Sequence, residues 1–181
     1  MKRRDFLTTG AALLLAPEII LAQSPSTMPS LFFAHGAPTL ATDEKRGKQL
    51  QDLASGLPRS PRGIVAITPH VRAEYVTVAA HGVARRSFPR RFVESIGDIE
   101  YSPPSAEALA GQVRGLLTTT RVPLATQEHA AFDHTIWMGL LHMFPGAQIP
   151  VVEMAMPFMP PERLFEIGQA LAPLRTDVPA A

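Results

Sequence analysis

Leu31-Phe32-Phe33-Ala34-His35-Gly36-Ala37-Pro38 is a short apolar run that ends in a histidine and is turned at once by Gly and Pro. Ile64-Val65-Ala66-Ile67-Thr68-Pro69-His70 repeats the design. Both read as buried strands, because a parallel strand covered on two faces is a continuous apolar run rather than an alternating one. Between them, Asp43 opens a helical window with Leu50, Leu53 and Leu57 spaced to face a sheet. Strand, helix and strand make a βαβ unit, whose crossover is right-handed. Parallel neighbours would deliver His35 and His70 to one sheet edge, where open α/β sheets bind their ligands. Neutral imidazole is the commonest protein metal ligand. A lone histidine after a strand is more often a satisfied hydrogen-bonding residue. Two at equivalent positions raise the metal reading.

The chain continues the alternation. Tyr75 to Ala80, Val122 to Ala125 and Ile149 to Met154 read as further strands, and Ile99-Glu100-Tyr101 as a short extended piece. Ser105 caps a predicted helix to Leu117 with Leu109, Val113, Leu116 and Leu117 as its buried stripe. Thr135 to Phe144 is a second helical window, with Trp137 and Phe144 in the core. Pro160-Pro161-Glu162 opens a third, with Leu164, Phe165, Ile167 and Leu171 on its apolar side. Met154-Ala155-Met156 and Phe158-Met159 read as core or pocket wall. The pattern predicts an α/β fold with a mostly parallel central sheet flanked by helices.

Composition narrows the function. The 181 residues suffice for one domain, and 46 % hydrophobic residues argue for a globular chain. Seventeen basic residues stand against 16 acidic, so no nucleic-acid surface is expected. Cysteine is absent, which excludes disulfides, thiolate metal sites and a cysteine nucleophile. Lys2-Arg3-Arg4-Asp5-Phe6-Leu7, followed by apolar Ala11 to Ala16 and Ile19 to Ala22, resembles a bacterial twin-arginine export signal. Pro17 and Glu18 interrupt the apolar part, so no stable membrane insertion is expected. Residues 1–22 are read as the leader, 23–29 as a linker and 30–181 as the domain, exported to the periplasm already folded.

Five motifs then fall in order: His-Gly-Ala-Pro at 35–38, Thr-Pro-His at 68–70, Ile-Glu-Tyr-Ser-Pro-Pro at 99–104, Phe-Asp-His-Thr-x-Trp at 132–137 and Leu-His-Met-Phe-Pro-x-Ala-x-Ile-Pro-Val-Val at 141–152. Together they resemble the LigB-type class III extradiol ring-cleavage dioxygenases, in the DOPA 4,5-dioxygenase branch. The resemblance covers about residues 29–175. It implies a LigB-like fold and a divalent non-haem metal, Fe(II) first and Zn(II) second. It further implies a catechol-type substrate, such as DOPA or protocatechuate, opened beside the diol with O2. It carries the metal-ligand roles onto His35 and His70, and an active-site role beside the substrate onto His134. Thr68-Pro69-His70-Val71 departs from the usual Ser-Ala-His-Trp, and Thr135 stands where Asp-His is usually followed by Gly. Family members run on past this C-terminus, through a further strand, an acid/base histidine and a third ligand without counterparts here. The resemblance therefore implies a domain incomplete at its C-terminus, with an exposed strand edge, poor solubility or rescue as a homo-oligomer.

Non-haem Fe(II) centres use three protein ligands on one face. Glu153 ends the Val151-Val152 run and is weighed as a third, although the family has an amide there. His81, His129 and His142 read as surface or packing residues. Arg85, Arg86, Arg90 and Arg91 read as a solvated basic loop able to steer an anionic ring. Two other classes compete: a non-catalytic metal-binding remnant of the fold, and a zinc hydrolase. No His-Glu-x-x-His motif supports the hydrolase.

Overall fold

Val151 and Val152 turn to opposite faces of one sheet, and two separate cores follow from that alternation. The computed structural model describes residues 27–73, 75–80, 96, 99–126 and 132–176. Four strands form the sheet: β1 (Ile64–Ala73), β2 (Val76–Ala80), β3 (Leu124–Thr126) and β4 (Val151–Pro157), in the order β1-β4-β2-β3. The β1–β4 and β2–β3 pairs are parallel and the central β2–β4 pair is antiparallel. The sheet is thus mixed. The helices are α1 (Glu44–Ser55), α2 (Glu107–Leu117), α3 (His134–Met143) and α4 (Pro161–Leu171), with 3-10 turns at Pro38–Thr42 and Ala172–Arg175.

On one face Val151 meets Leu50 of α1 and Ile136, Trp137 and Leu140 of α3, with Ile64 and Ala66 of β1 beside them. On the other, Val152 and Met154 meet Ala110, Val113 and Leu117 of α2 and Ile167 of α4. Both faces are covered, which is why β4 is apolar on both faces except at Glu153. The helix boundaries have local causes. Asp43 caps α1 by accepting the Arg46 N–H at 3.0 Å, and Asp133 caps α3 by accepting the Thr135 N–H at 2.9 Å. Pro160 and Pro161 open α4, where a missing N–H costs nothing.

Several expectations change. Ser30 to Ala34 forms no strand, so the first βαβ unit does not exist. Its apolar run has β propensity but no ladder partner. Phe33 lies instead against Gly139 of α3, Phe32 is 98 % exposed, and Met28 pairs with Arg175. The neighbour of β1 is β4. Leu50 of α1 packs under α3 while Leu53 stays exposed, so the helix covers α3 more than the sheet. Ser105 caps nothing: α2 starts at Glu107 after buried Ala106, which has no side chain to cap with. The strand predicted from Val122 starts at Leu124, because Pro123 has no N–H for the ladder and instead accepts from Val76. Met154 and Ala155 are core as expected, whereas Met156 and Phe158 are exposed. The leader and residues 23–26 of the linker, His81, the basic loop from Arg85 to Arg91, His129 and residues 177–181 lie outside the described residues.

Candidate metal centre

Three histidines from three parts of the chain meet at one place. His35 follows the irregular segment before the Gly36 turn, where the backbone takes φ +68, a conformation glycine adopts without strain. His70 lies in β1, and His134 is the first residue of α3. The ring centroids are 5.1 Å apart for His35 and His70, 4.8 Å for His70 and His134, and 6.1 Å for His35 and His134. The expected juxtaposition of His35 and His70 therefore occurs without the parallel strand pair that was to produce it. Phe33 against α3 brings in the first histidine instead.

Asp133 is the carboxylate of the cluster. One oxygen, Oδ2, faces His70 Nδ1 at 3.3 Å and His134 Nδ1 at 3.6 Å. The other, Oδ1, accepts from the Thr135 N–H, from the Thr135 hydroxyl and, at 3.2 Å, from the Thr68 hydroxyl. Thr68 Oγ1 also accepts the His70 N–H at 3.1 Å and lies 3.2 Å from the Thr135 hydroxyl oxygen. Ile64 and Ala66 face the α3 side of the sheet, and a period of two puts Thr68 on that face too. Glu153 is inward and 1 % exposed, and its Oε2 accepts the Asp133 N–H at 3.1 Å.

These contacts set the charges. Burial pushes the Asp133 carboxyl up, but the Thr135 hydroxyl and N–H and the His134 and His70 imidazoles outweigh it, and the group ends below its ordinary value. Burial lowers the His134 imidazole, the Asp133 charge works against that, and His70 and His35 lower it further, so it is neutral at neutral pH. Burial lifts the Glu153 carboxyl to about 7, with the Asp133 charge adding and the Asp133 N–H opposing.

The donor set fits a divalent ion. His70, Asp133 and His134 offer ligand atoms within 4.8 Å of one another. A nitrogen ligand lies about 2 Å from its ion, so rings sharing one have centroids within roughly 6 Å. His35 Nδ1 is buried with no hydrogen-bond partner among the described residues, an orphan that coordination would satisfy. Glu153, weighed as a third ligand, is absent from the group and is spent on a backbone N–H. His142 is the packing residue expected of it, its Nε2 2.7 Å from the Leu40 carbonyl. Asp133, Thr68 and Thr135 went unread as site residues. The local signals are the Thr68-Pro69-His70 and Phe132-Asp133-His134-Thr135 motifs that contain them, and an Asp directly before a helix.

The description "catalytic LigB subunit of aromatic ring-opening dioxygenase" matches residues 30–179 of this chain. The 4,5-DOPA dioxygenase extradiol of Escherichia coli (strain K12) is 34 % identical over 167 residues, 90 % of this chain and 60 % of that protein. The protein of that name from Portulaca grandiflora is 30 % identical over 152 residues, 81 % of this chain and 56 % of that one. A crystal structure of an uncharacterized protein from Escherichia coli K12 superposes with a TM-score of 0.56 at 30 % identity, over 71 % of this chain and 48 % of that one. The chain thus spans between 56 and 60 % of the length of these two curated relatives.

Proposed function

Because the chain belongs to the LigB family of aromatic ring-opening dioxygenases, we propose that it opens catechol-type rings beside the diol with O2. The observation that carries this reading is the convergence of His35, His70 and His134 on one point, with Asp133 beside them. In this reading His35 and His70 hold a divalent ion, Fe(II) in preference to Zn(II), and His134 faces the substrate. When bound, the ion would gather the diol and O2 on one centre.

The chain's own residues do the rest. His134 is neutral at working pH and can take a proton from a catechol hydroxyl. Asp133 stays ionised beside it and stabilises the imidazolium that results. Buried Thr68 and Thr135 keep Asp133 from turning toward solvent. The overall reaction balances without a further reductant: one ring C–C bond breaks, both oxygen atoms enter the product, and an aldehyde and a carboxylic acid form. DOPA- or protocatechuate-like diols are the substrate class proposed. Twin-arginine export to the periplasm is proposed with it, on the strength of Lys2-Arg3-Arg4-Asp5-Phe6-Leu7.

The test is iron-loaded protein mixed with DOPA or protocatechuate, with O2 uptake and a yellow ring-opened product as readouts. We expect stoichiometric uptake. His35→Ala and His70→Ala are expected to weaken metal binding more than tenfold. His134→Ala is expected to keep the metal and lose about 10²–10⁴ in rate, as removal of an acid–base group does. Iron bound with no O2 uptake on any catechol would overturn the reading and favour a non-catalytic metal-binding protein.

A further inference from the structure

Glu153 is the sole buried carboxylate among the described residues. An ionisable group in an interior is costly unless it is engaged. It sits in mid-β4, and its neighbours across the ladder are Ala66 on β1 and Ala79 on β2. Two alanines leave the sheet open around it. Its side chain shares the face of Val151, the α3 side, by the period of two. There it accepts the N–H of Asp133 at 3.1 Å. That N–H precedes the helix and has no use within it.

Asp133 is consequently held at two points. Glu153 of β4 holds its backbone, while Thr68 of β1 and Thr135 of α3 hold one carboxylate oxygen. The second carboxylate oxygen is turned to Nδ1 of both His70 and His134. We propose that Glu153 is a positioning residue of the metal centre: by accepting the Asp133 N–H it ties the start of α3 to β4 and sets the orientation of the His70 and His134 rings. It makes no bond to the ion. The inference rests on the ring-opening reading only for its kinetic readout.

The experiment compares the full chain with Glu153→Gln and Glu153→Leu. Gln keeps an acceptor oxygen at the same reach and removes the charge. Leu keeps most of the volume and removes the acceptor. Three measurements are made: Co(II) affinity from its visible absorption, ¹⁵N–¹H spectra of the histidine rings in metal-free protein, and kcat and KM for ring opening. Glu153→Gln should hold Co(II) within threefold of the parent and leave the His70 and His134 ring signals in place. Glu153→Leu should weaken Co(II) binding 10–100-fold, the usual effect of losing a group that orients ligands. It should also move both ring signals and lower kcat more than it raises KM.

Equal losses for Gln and Leu would mean that the charge itself acts, or ligates, and would overturn the proposal. A Leu variant with unchanged affinity and unchanged ring signals would do the same by reducing Glu153 to a fold residue. If the Leu variant does not fold, Glu153→Met, with its much weaker acceptor, takes its place. A parent chain that opens no ring while the histidine signals respond as described counts against the function above and leaves the positioning role standing.

Discussion

Glu153 holds its proton to about 7, against 4.5 for an ordinary glutamate. The folded chain therefore carries a proton that the unfolded chain has released between those values. Stability must fall as pH rises through that window, by on the order of 3 kcal/mol when complete. Glu153→Gln removes this component. We expect the melting temperature of the parent, measured against that variant, to decline between about pH 5 and about pH 8. A constant difference across that range would contradict the assignment. Asp133 and His134 act in the other direction. Both sit below their ordinary values, so their contributions are present above those values and are lost as acid carries pH down through the folded ones. At this scale the sequence disclosed the imidazoles and little of what holds them. His35 and His70 each end an apolar run, a local pattern. The Thr68–Asp133 bond joins residues 65 positions apart, and Glu153 reaches back 20 positions to Asp133. No spacing rule carries contacts of that kind.

Two helix starts share one device and differ in what depends on it. Asp43→Ala removes the cap of α1 and should cost about 1 kcal/mol in urea unfolding with no change in metal affinity. Asp133→Ala removes the equivalent cap of α3 and also the carboxylate facing His70 and His134. It should cost at least as much stability and weaken metal binding as well. Equal effects of the two variants on Co(II) affinity would separate α3 from the site. Gly47 supplies a sharper check on how α1 meets α3. Helix propensity alone favours Gly47→Ala by about 1 kcal/mol. A Cβ there would lie 2.6 Å from His142 Nδ1, and that ring is anchored to the Leu40 carbonyl at its far nitrogen. We therefore expect a lower unfolding midpoint for Gly47→Ala, and a gain would show that the ring is free to move. Elements with their own punctuation were legible: Pro160-Pro161 before α4, Asp43 before α1, and the apolar runs of β1 and β4. The failure at Ser30 to Ala34 is of another kind. Propensity describes the segment, whereas a strand needs a partner with a free edge in register, and Phe33 packs on Gly139 of α3 instead.

On the whole molecule, one part of the exposed apolar surface lies along the β1–β4 side of the sheet, apart from Phe32, Leu53 and Phe165 elsewhere. Ile67 of β1 is half exposed and lies in register with Met154 of β4, while Met156 and Phe158, just beyond on the same chain segment, are exposed as well. Among the described residues β1 pairs with β4 on one side and has no strand partner on the other. An edge strand beside exposed Ile, Met and Phe side chains invites pairing with another copy, because its unpaired backbone groups and its apolar side chains gain from one contact. We therefore expect the sedimentation coefficient to rise with concentration in the micromolar range. Ile67→Lys places a charge on the edge and Phe158→Ser removes the largest exposed ring beside it, and together they should restore the monomer. The pair leaves both buried cores and all three site histidines in place, so the far-ultraviolet spectrum and Co(II) affinity should stay with the parent while association is lost. A parent chain that sediments as a monomer at tens of micromolar would refute self-association through this edge.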